Sequence, residues 1–222
     1  MTAEPQAASR PRVIAIDGPA AAGKGTLADR LAAHYGYARL DSGRLYRAAA
    51  RRLIEAGGDG EDAFEAARAA RDVTAKELSD PALGTDQVAT VASKIAAYPE
   101  VRQALLDFQR RFAQTPPDSA PGAVIDGRDI GTVVCPDADI KFFVTASLEA
   151  RAERRLKELR EKGLDSIKAR VLKDMRERDN RDQSRSEAPL TQAEDAHLLD
   201  TTGLNADEAF EAAREIIDGV SA

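Results

Sequence analysis

The sequence predicts an α/β protein: a parallel sheet flanked by helices and interrupted by a helical insert. Three observations carry this expectation. Short apolar, β-rich runs alternate with helix-spaced segments along the chain, the pattern of parallel strands covered on both faces. The first run, residues 13–16, passes through a glycine-rich turn straight into a helix pattern at 25–35. The length of 222 residues suits one core of ordinary size with a small insert, not a string of domains.

In chain order, residues 13–16 end at Asp17 and its turn, and Leu27 and Leu31 give residues 25–35 helix spacing. A second short strand, 37–40, meets the turn Asp41-Ser42-Gly43, after which 45–56 reads as a helix closed by Gly57-Gly58. Residues 59–114 hold almost no strand-like run; they are rich in Ala, Arg and Glu, broken by Pro81 and Pro99, and read as a helical insert. Strands follow at 123–126 and 140–145, then at 196–200 before a last helix at 207–220. The charge-dense stretch 147–187 reads, on pattern alone, as two solvated helices.

Composition excludes several classes. Hydrophobic residues make up 43 % and charged residues 32 %, and no apolar stretch approaches the ~18 residues of a membrane span. The 32 Lys and Arg against 38 Asp and Glu leave a net charge of −6, which disfavours a general affinity for nucleic acid or anionic lipid, so any phosphate site must be local. The single cysteine, Cys135, forms no internal disulfide or zinc cluster, which suits a reducing, cytoplasmic compartment. The opening MTAEPQAASR lacks the apolar core of a secretory signal and reads, within residues 1–11, as a flexible tail.

The strongest local signal is GPAAAGKGT, residues 18–26, placed between a strand and a helix. Gly18, Gly23 and Gly25 let the backbone turn sharply, so that the loop that also holds Pro19, Ala20, Ala21 and Ala22 points its successive N–H groups, which proline lacks, inward toward phosphate, backed by the helix dipole. Lys24 supplies a mobile charge for a transferring phosphoryl group, and the Thr26 hydroxyl suits a phosphate oxygen or a magnesium-bound water. Gly25 stands where the strict P-loop pattern wants Ser or Thr, a variant that resembles the nucleoside monophosphate kinases.

The acceptor must be read elsewhere. LDSGRLYR (40–47) puts Ser42 at the carboxyl end of the second strand, with Tyr46 and Arg47 one helix turn on, the edge where open α/β sheets bind ligands. Asp126, Arg128 and Asp129 end another strand; a guanidinium flanked by acids grips phosphate while the acids hold sugar hydroxyls. Plainer readings stand beside these: Ser42 as a helix cap, Arg128 with Asp129 as a structural ion pair. In RERDNRDQSR (176–185), Arg178, Asp182 and Arg185 are spaced by four and three and would share one helix face, with Arg181 near it.

The set GPAAAGKGT, LDSGRLYR, SKIAAYPEVR, DGRDIGTVVCPDA and RERDNRDQSRSEAPL, in this order across most of the chain, resembles the bacterial cytidylate kinases, P-loop nucleoside monophosphate kinases. The resemblance implies transfer of the γ-phosphoryl group of ATP to CMP or dCMP with Mg²⁺ carried by the ATP phosphates and water. It implies a single domain over 12–222: a core (12–56, 115–150, 188–222), an NMP-binding insert (57–114), and a lid with its flanking helices (151–187). It further implies that Ser93, Arg102 and Arg185 recognise cytosine, that Arg47 and Arg128 hold the CMP phosphate, and that Tyr46, Asp129, Arg178 and Asp182 surround sugar and phosphate. Lys24, Arg128 and Arg178 form the expected catalytic set, with Ser42 at the acceptor side. Cytosine's acceptors at O2 and N3 and donor at N4 suit arginine forks and a hydroxyl.

One stretch departs from the family pattern: Leu83-Gly84-Thr85 stands where many members read Ile-Arg-Thr, and the insert before it is short. In-line transfer to a phosphate needs no general base, so His34 and His197 are expected on the surface or in packing, and Cys135 in or near the core. Arg151, Arg154 and Arg155 have the spacing to close over ATP. The chain is expected to act as a monomer. Three rivals share the phosphate loop: a kinase of UMP, AMP or shikimate, a nucleotide sensor without turnover, and a GTPase switch, the last disfavoured because no NKxD tetrapeptide is found.

Overall fold

The computed structural model describes residues 12–161, 163–164, 166–185 and 187–220; the expected tail at 1–11 lies outside them. Five strands form one sheet: β1 (Arg12–Asp17), β2 (Ala38–Asp41), β3 (Gly122–Gly127), β4 (Ile140–Thr145) and β5 (His197–Asp200), in spatial order β2-β3-β1-β4-β5. Every pairing is parallel. Central β1 is buried from Val13 to Asp17, as a parallel strand covered on both faces must be.

Strand alternation divides the interior. Val13 and Ala15 pack with Leu40, Leu45, Ile125 and the helices of the 63–114 region, while Ile14 and Ile16 pack on the opposite face with Leu27, Leu31, Phe142 and the C-terminal helix. The covering helices are α1 (Lys24–Tyr35), α2 (Ser42–Glu55), α3 (Ala63–Arg71), α4 (Asp86–Ile95), α5 (Pro99–Gln114) and α8 (Ala206–Val220). A third, smaller cluster of Ala152, Leu156, Leu159, Val171 and Met175 joins α6 (Leu148–Glu161) to α7 (Lys168–Gln183). These two charged helices are therefore amphipathic: they share an apolar seam and turn other faces to solvent and to the sheet edge.

Among the described residues, the region 59–114 contains helices and two 3₁₀ turns, Ala75–Ser79 and Pro81–Gly84, and no strand. Pro99 starts α5 at its first turn, where its missing N–H costs nothing. Helix α2 begins three residues before the sequence pattern suggested, because Asp41 caps it by accepting from Arg44 N–H at 3.2 Å. Ser42 is thus the first helical residue and not the cap. Helix α7 stops at Gln183, so Arg185 lies beyond the helix it was expected to share with Arg178 and Asp182.

Register gathers the strand ends. Asp17 lies opposite Gly127 and Phe143, and Asp41 opposite Asp126, so three carboxylates reach the same sheet edge. The chain leaves β1 through Gly18 at φ +145°, and a Cβ there would lie 1.9 Å from the Val144 carbonyl oxygen of β4. Only glycine lets the loop start so close to the neighbouring strand. Gly18→Ala should therefore cost about 3 kcal/mol or more and lower the melting temperature by ~6–12 °C. An unchanged melting curve would show that the two backbones do not meet this closely.

Candidate active site

The loop from Gly18 to Gly23 wraps the N-terminus of α1, with Gly23 at φ +91° as its cap residue and Ala21 at φ +59°, a left-handed position few side chains adopt. Pro19 and Ala22 are buried, Ala20, Ala21 and Gly25 half-buried, and Thr26 is exposed. Lys24 folds back so that Nζ donates to the Pro19 carbonyl at 2.7 Å. Burial, together with Arg128 and Arg178, lowers its pKa to about 7 against the opposing pull of Asp126 and Asp17. The ammonium is thus poorly compensated by the protein and gains most from an anion.

Behind the loop, both oxygens of Asp17 accept backbone N–H groups, from Ile130 at 2.8 Å and Gly131 at 2.7 Å. These bonds pin the single π turn Ile130–Val134 to the central strand. Burial raises the Asp17 pKa to about 6 despite them. Asp126 at the end of β3 rises to about 6 as well, by burial and by the neighbouring charge of Asp41. Its Oδ1 is paired with Arg39 Nη1 at 3.0 Å yet has no hydrogen-bond partner of good geometry.

The residues expected on the acceptor side form a set of guanidinium groups held by buried acids. Arg128 Nε donates to Asp182 Oδ2 at 2.8 Å, and Arg185 pairs with the other Asp182 oxygen. Arg102 on α5 pairs with Asp129. The plainer reading of Arg128 and Asp129 as an ion pair with each other does not hold: each takes a longer-range partner. Burial would push Asp182 upward, but Arg128, Arg185 and Arg178 hold it below the usual carboxylate range. Burial keeps Asp129 above it. The Nε of half-buried Arg178 is sheltered without a partner, and burial with Arg128 and Arg47 nearby lowers its pKa to about 10. Burial also lifts the Tyr46 phenol to about 12, with Arg102, Asp129 and Arg185 around it.

Ser93 on α4 carries a buried hydroxyl with no hydrogen-bond partner, and it does not line the cavity beside Arg102. Tyr46, Arg102, Asp129 and the buried Gln109 line a cavity of about 140 Å³ that continues to Val134 and Ala188. The structure therefore brings Lys24, Arg128 and Arg178 into mutual electrostatic reach and Arg47 within reach of Arg178, with Arg102, Asp129, Asp182, Arg185 and Tyr46 adjoining. Ser42 is buried against Gly127. Arg181 is exposed and stands apart.

The arginines of α6 divide. Arg151 pairs with Asp179 of α7 at 2.7 Å and donates to the Ala20 carbonyl of the loop at 3.3 Å, tying both charged helices to the phosphate site. Arg154 instead donates to Thr201, and Arg155 pairs with Asp86 of α4 at 3.1 Å and with Glu158. Thr85 caps α4 by accepting from Val88 N–H, and Leu83 is buried, so the Leu-Gly-Thr stretch serves local structure. Cys135 is half-buried with its thiol pushed up to about 11 by burial, which removes it as a nucleophile. Sequence reasoning missed Asp17 and Arg39 as site-building residues: each acts through partners distant in the chain.

The family model described as cytidylate kinase matches residues 14–219. The cytidylate kinase of Paramagnetospirillum magneticum is 61 % identical over 205 residues, covering 92 % of this chain and 97 % of its own. That of Rhodospirillum rubrum is 56 % identical over 205 residues, covering 92 % and 96 %. A solved structure of an uncharacterised protein from Eubacterium ventriosum matches 93 % of this chain and 98 % of its own at a TM-score of 0.53 and 16 % identity, which bears on the fold alone. With its phosphate loop, its ring of arginines and these relatives, the chain belongs to the cytidylate kinase family.

Proposed function

We propose that this enzyme transfers the γ-phosphoryl group of ATP to CMP or dCMP, giving ADP and CDP or dCDP. The observation that carries the reading is the convergence of buried Lys24 with half-buried Arg128 and Arg178 between the glycine-rich loop on one side and a cavity lined by Tyr46, Arg102 and Asp129 on the other. Two anionic nucleotides placed end to end would relieve the mutual repulsion of these cations. An oxygen of the acceptor phosphate attacks the γ-phosphorus as the bond to the β–γ bridging oxygen breaks, and the charge on the γ-oxygens spreads onto Lys24, Arg128 and Arg178. Arg47 and Arg128 hold the acceptor phosphate; Tyr46, Asp129 and Asp182 lie around the sugar; Ser93, Arg102 and Arg185 meet the cytosine edge.

Magnesium fits this site. The buried Asp126 carboxylate, with an oxygen lacking a hydrogen-bond partner, and the hydroxyl of exposed Thr26 suit the water shell of an ion held mainly by ATP phosphates. When bound, the ion neutralises phosphate charge. No helix of the described residues is long and apolar enough to cross a membrane. We infer that the chain acts as a cytoplasmic monomer on small nucleotides, with every guanidinium of the proposed site drawn from one chain.

The test is ADP release across a panel of CMP, dCMP, UMP, AMP and shikimate. CMP and dCMP should give the highest kcat/KM. Faster turnover of AMP or shikimate would move the enzyme to another acceptor, and ATP binding without ADP release would make it a sensor. A second expectation concerns pH. Lys24, with a pKa lowered to about 7, loses its charge as pH rises through that value, so kcat/KM for ATP, which reports the free enzyme, should fall above about pH 7. Lys24→Met should remove that alkaline limb and lower kcat by about 100-fold or more. A wild-type kcat/KM flat across the alkaline range would contradict the role given to this ammonium.

A further inference from the structure

Arg39 belongs to no motif and touches none of the arginines of the acceptor side, yet it reaches the phosphate loop from behind. It sits on β2, the edge strand, one residue before the inward-facing Leu40. Its side chain runs along α1: Nε pairs with Asp29 at 2.8 Å, Nη2 donates to the Gly25 carbonyl at 3.4 Å, and Nη1 pairs with Asp126 at 3.0 Å. Register explains the reach, because Arg39 lies opposite Val124, two residues from Asp126 on the same face of β3, a diagonal that a long side chain spans.

The groups facing Asp126 are Asp41 from β2, Arg39 from β2, Lys24 from α1 and Arg128 beyond β3. Two of these cations, Lys24 and Arg128, belong to the transferring phosphoryl group in the reading above. Arg39 is the one whose charge stays with Asp126 throughout. Asp41 adds a second negative charge, and its own side chain is committed to capping α2. Without Arg39 a buried carboxylate would face the polyphosphate with no dedicated counter-charge, and would also compete for Lys24.

We propose that Arg39 is a positioning residue that acts through Asp126: it holds this carboxylate away from Lys24 and offsets its charge, so that ATP binds the loop before a metal ion adds neutralisation. This rests on the kinase reading. It predicts a specific asymmetry, since magnesium supplies from the ligand side the positive charge that Arg39 supplies from the protein side.

Isothermal titration of ATP, with excess chelator and again with excess magnesium, into wild type, Arg39→Met and Arg39→Lys tests it. Arg39→Met should weaken metal-free ATP binding by about tenfold while Mg·ATP affinity stays within ~2-fold, and Arg39→Lys, which keeps the charge, should restore the metal-free affinity. Equal weakening of both ligands, or no change in either, would overturn the proposal, because a purely structural residue has no reason to distinguish them. An Arg39→Met chain that does not fold leaves Arg39→Lys and Arg39→Gln to decide: the proposal holds if the metal-free affinity separates these two, and fails if they bind alike. A wild type that binds no ATP in either condition would instead bring down the kinase reading on which the inference stands.

Discussion

The structure depends on burying several positive charges in one cleft without neutralising all of them. Asp182 satisfies Arg128 and Arg185 together, and Asp129 satisfies Arg102, but Lys24 and Arg178 stay short of partners and their pKa values fall. Buried charge without a partner is costly, and the cost is met by the large apolar cores on the two sheet faces. That imbalance is what an incoming phosphate corrects. The protein stores attraction for anions in a place where water competes poorly, which is how catalysis by positioning and charge works without acid–base groups.

The sheet makes this arrangement geometrically cheap. Parallel register brings Asp17, Asp41 and Asp126 to one edge, and each carboxylate then organises a different neighbour. Asp17 anchors the π turn that follows Arg128 and Asp129, Asp41 starts the helix bearing Tyr46 and Arg47, and Asp126 pairs with Arg39. The charged helices α6 and α7 are held over this edge by their own small apolar seam and by the Arg151 contacts to Asp179 and Ala20.

Local features were legible in the sequence because local physics produces them. The phosphate loop follows from glycine positions between a strand and a helix, and the parallel sheet from apolar runs separated by helix patterns. The helical insert followed from the lack of any β-rich run between residues 59 and 114. Pairings across long sequence distances were not legible. Arg128 and Asp129 are adjacent in sequence, yet each takes a partner from a different helical region, Asp182 and Arg102. Arg185 reaches Asp182 from outside the helix, which periodicity alone could not reveal. Arg39 gains meaning only once β2 lies beside β3.

The most direct test of anion-driven assembly is the thermal melting of the chain with a bisubstrate analogue, cytidine and adenosine joined through a polyphosphate, compared with the uncharged nucleosides cytidine and adenosine together. Held at about a thousandfold excess over its dissociation constant, the analogue should raise the melting temperature by on the order of 10 °C, and the nucleosides at the same concentration by almost nothing. Equal shifts from both would mean that base and sugar contacts, not the gathered cations, provide the driving force for binding.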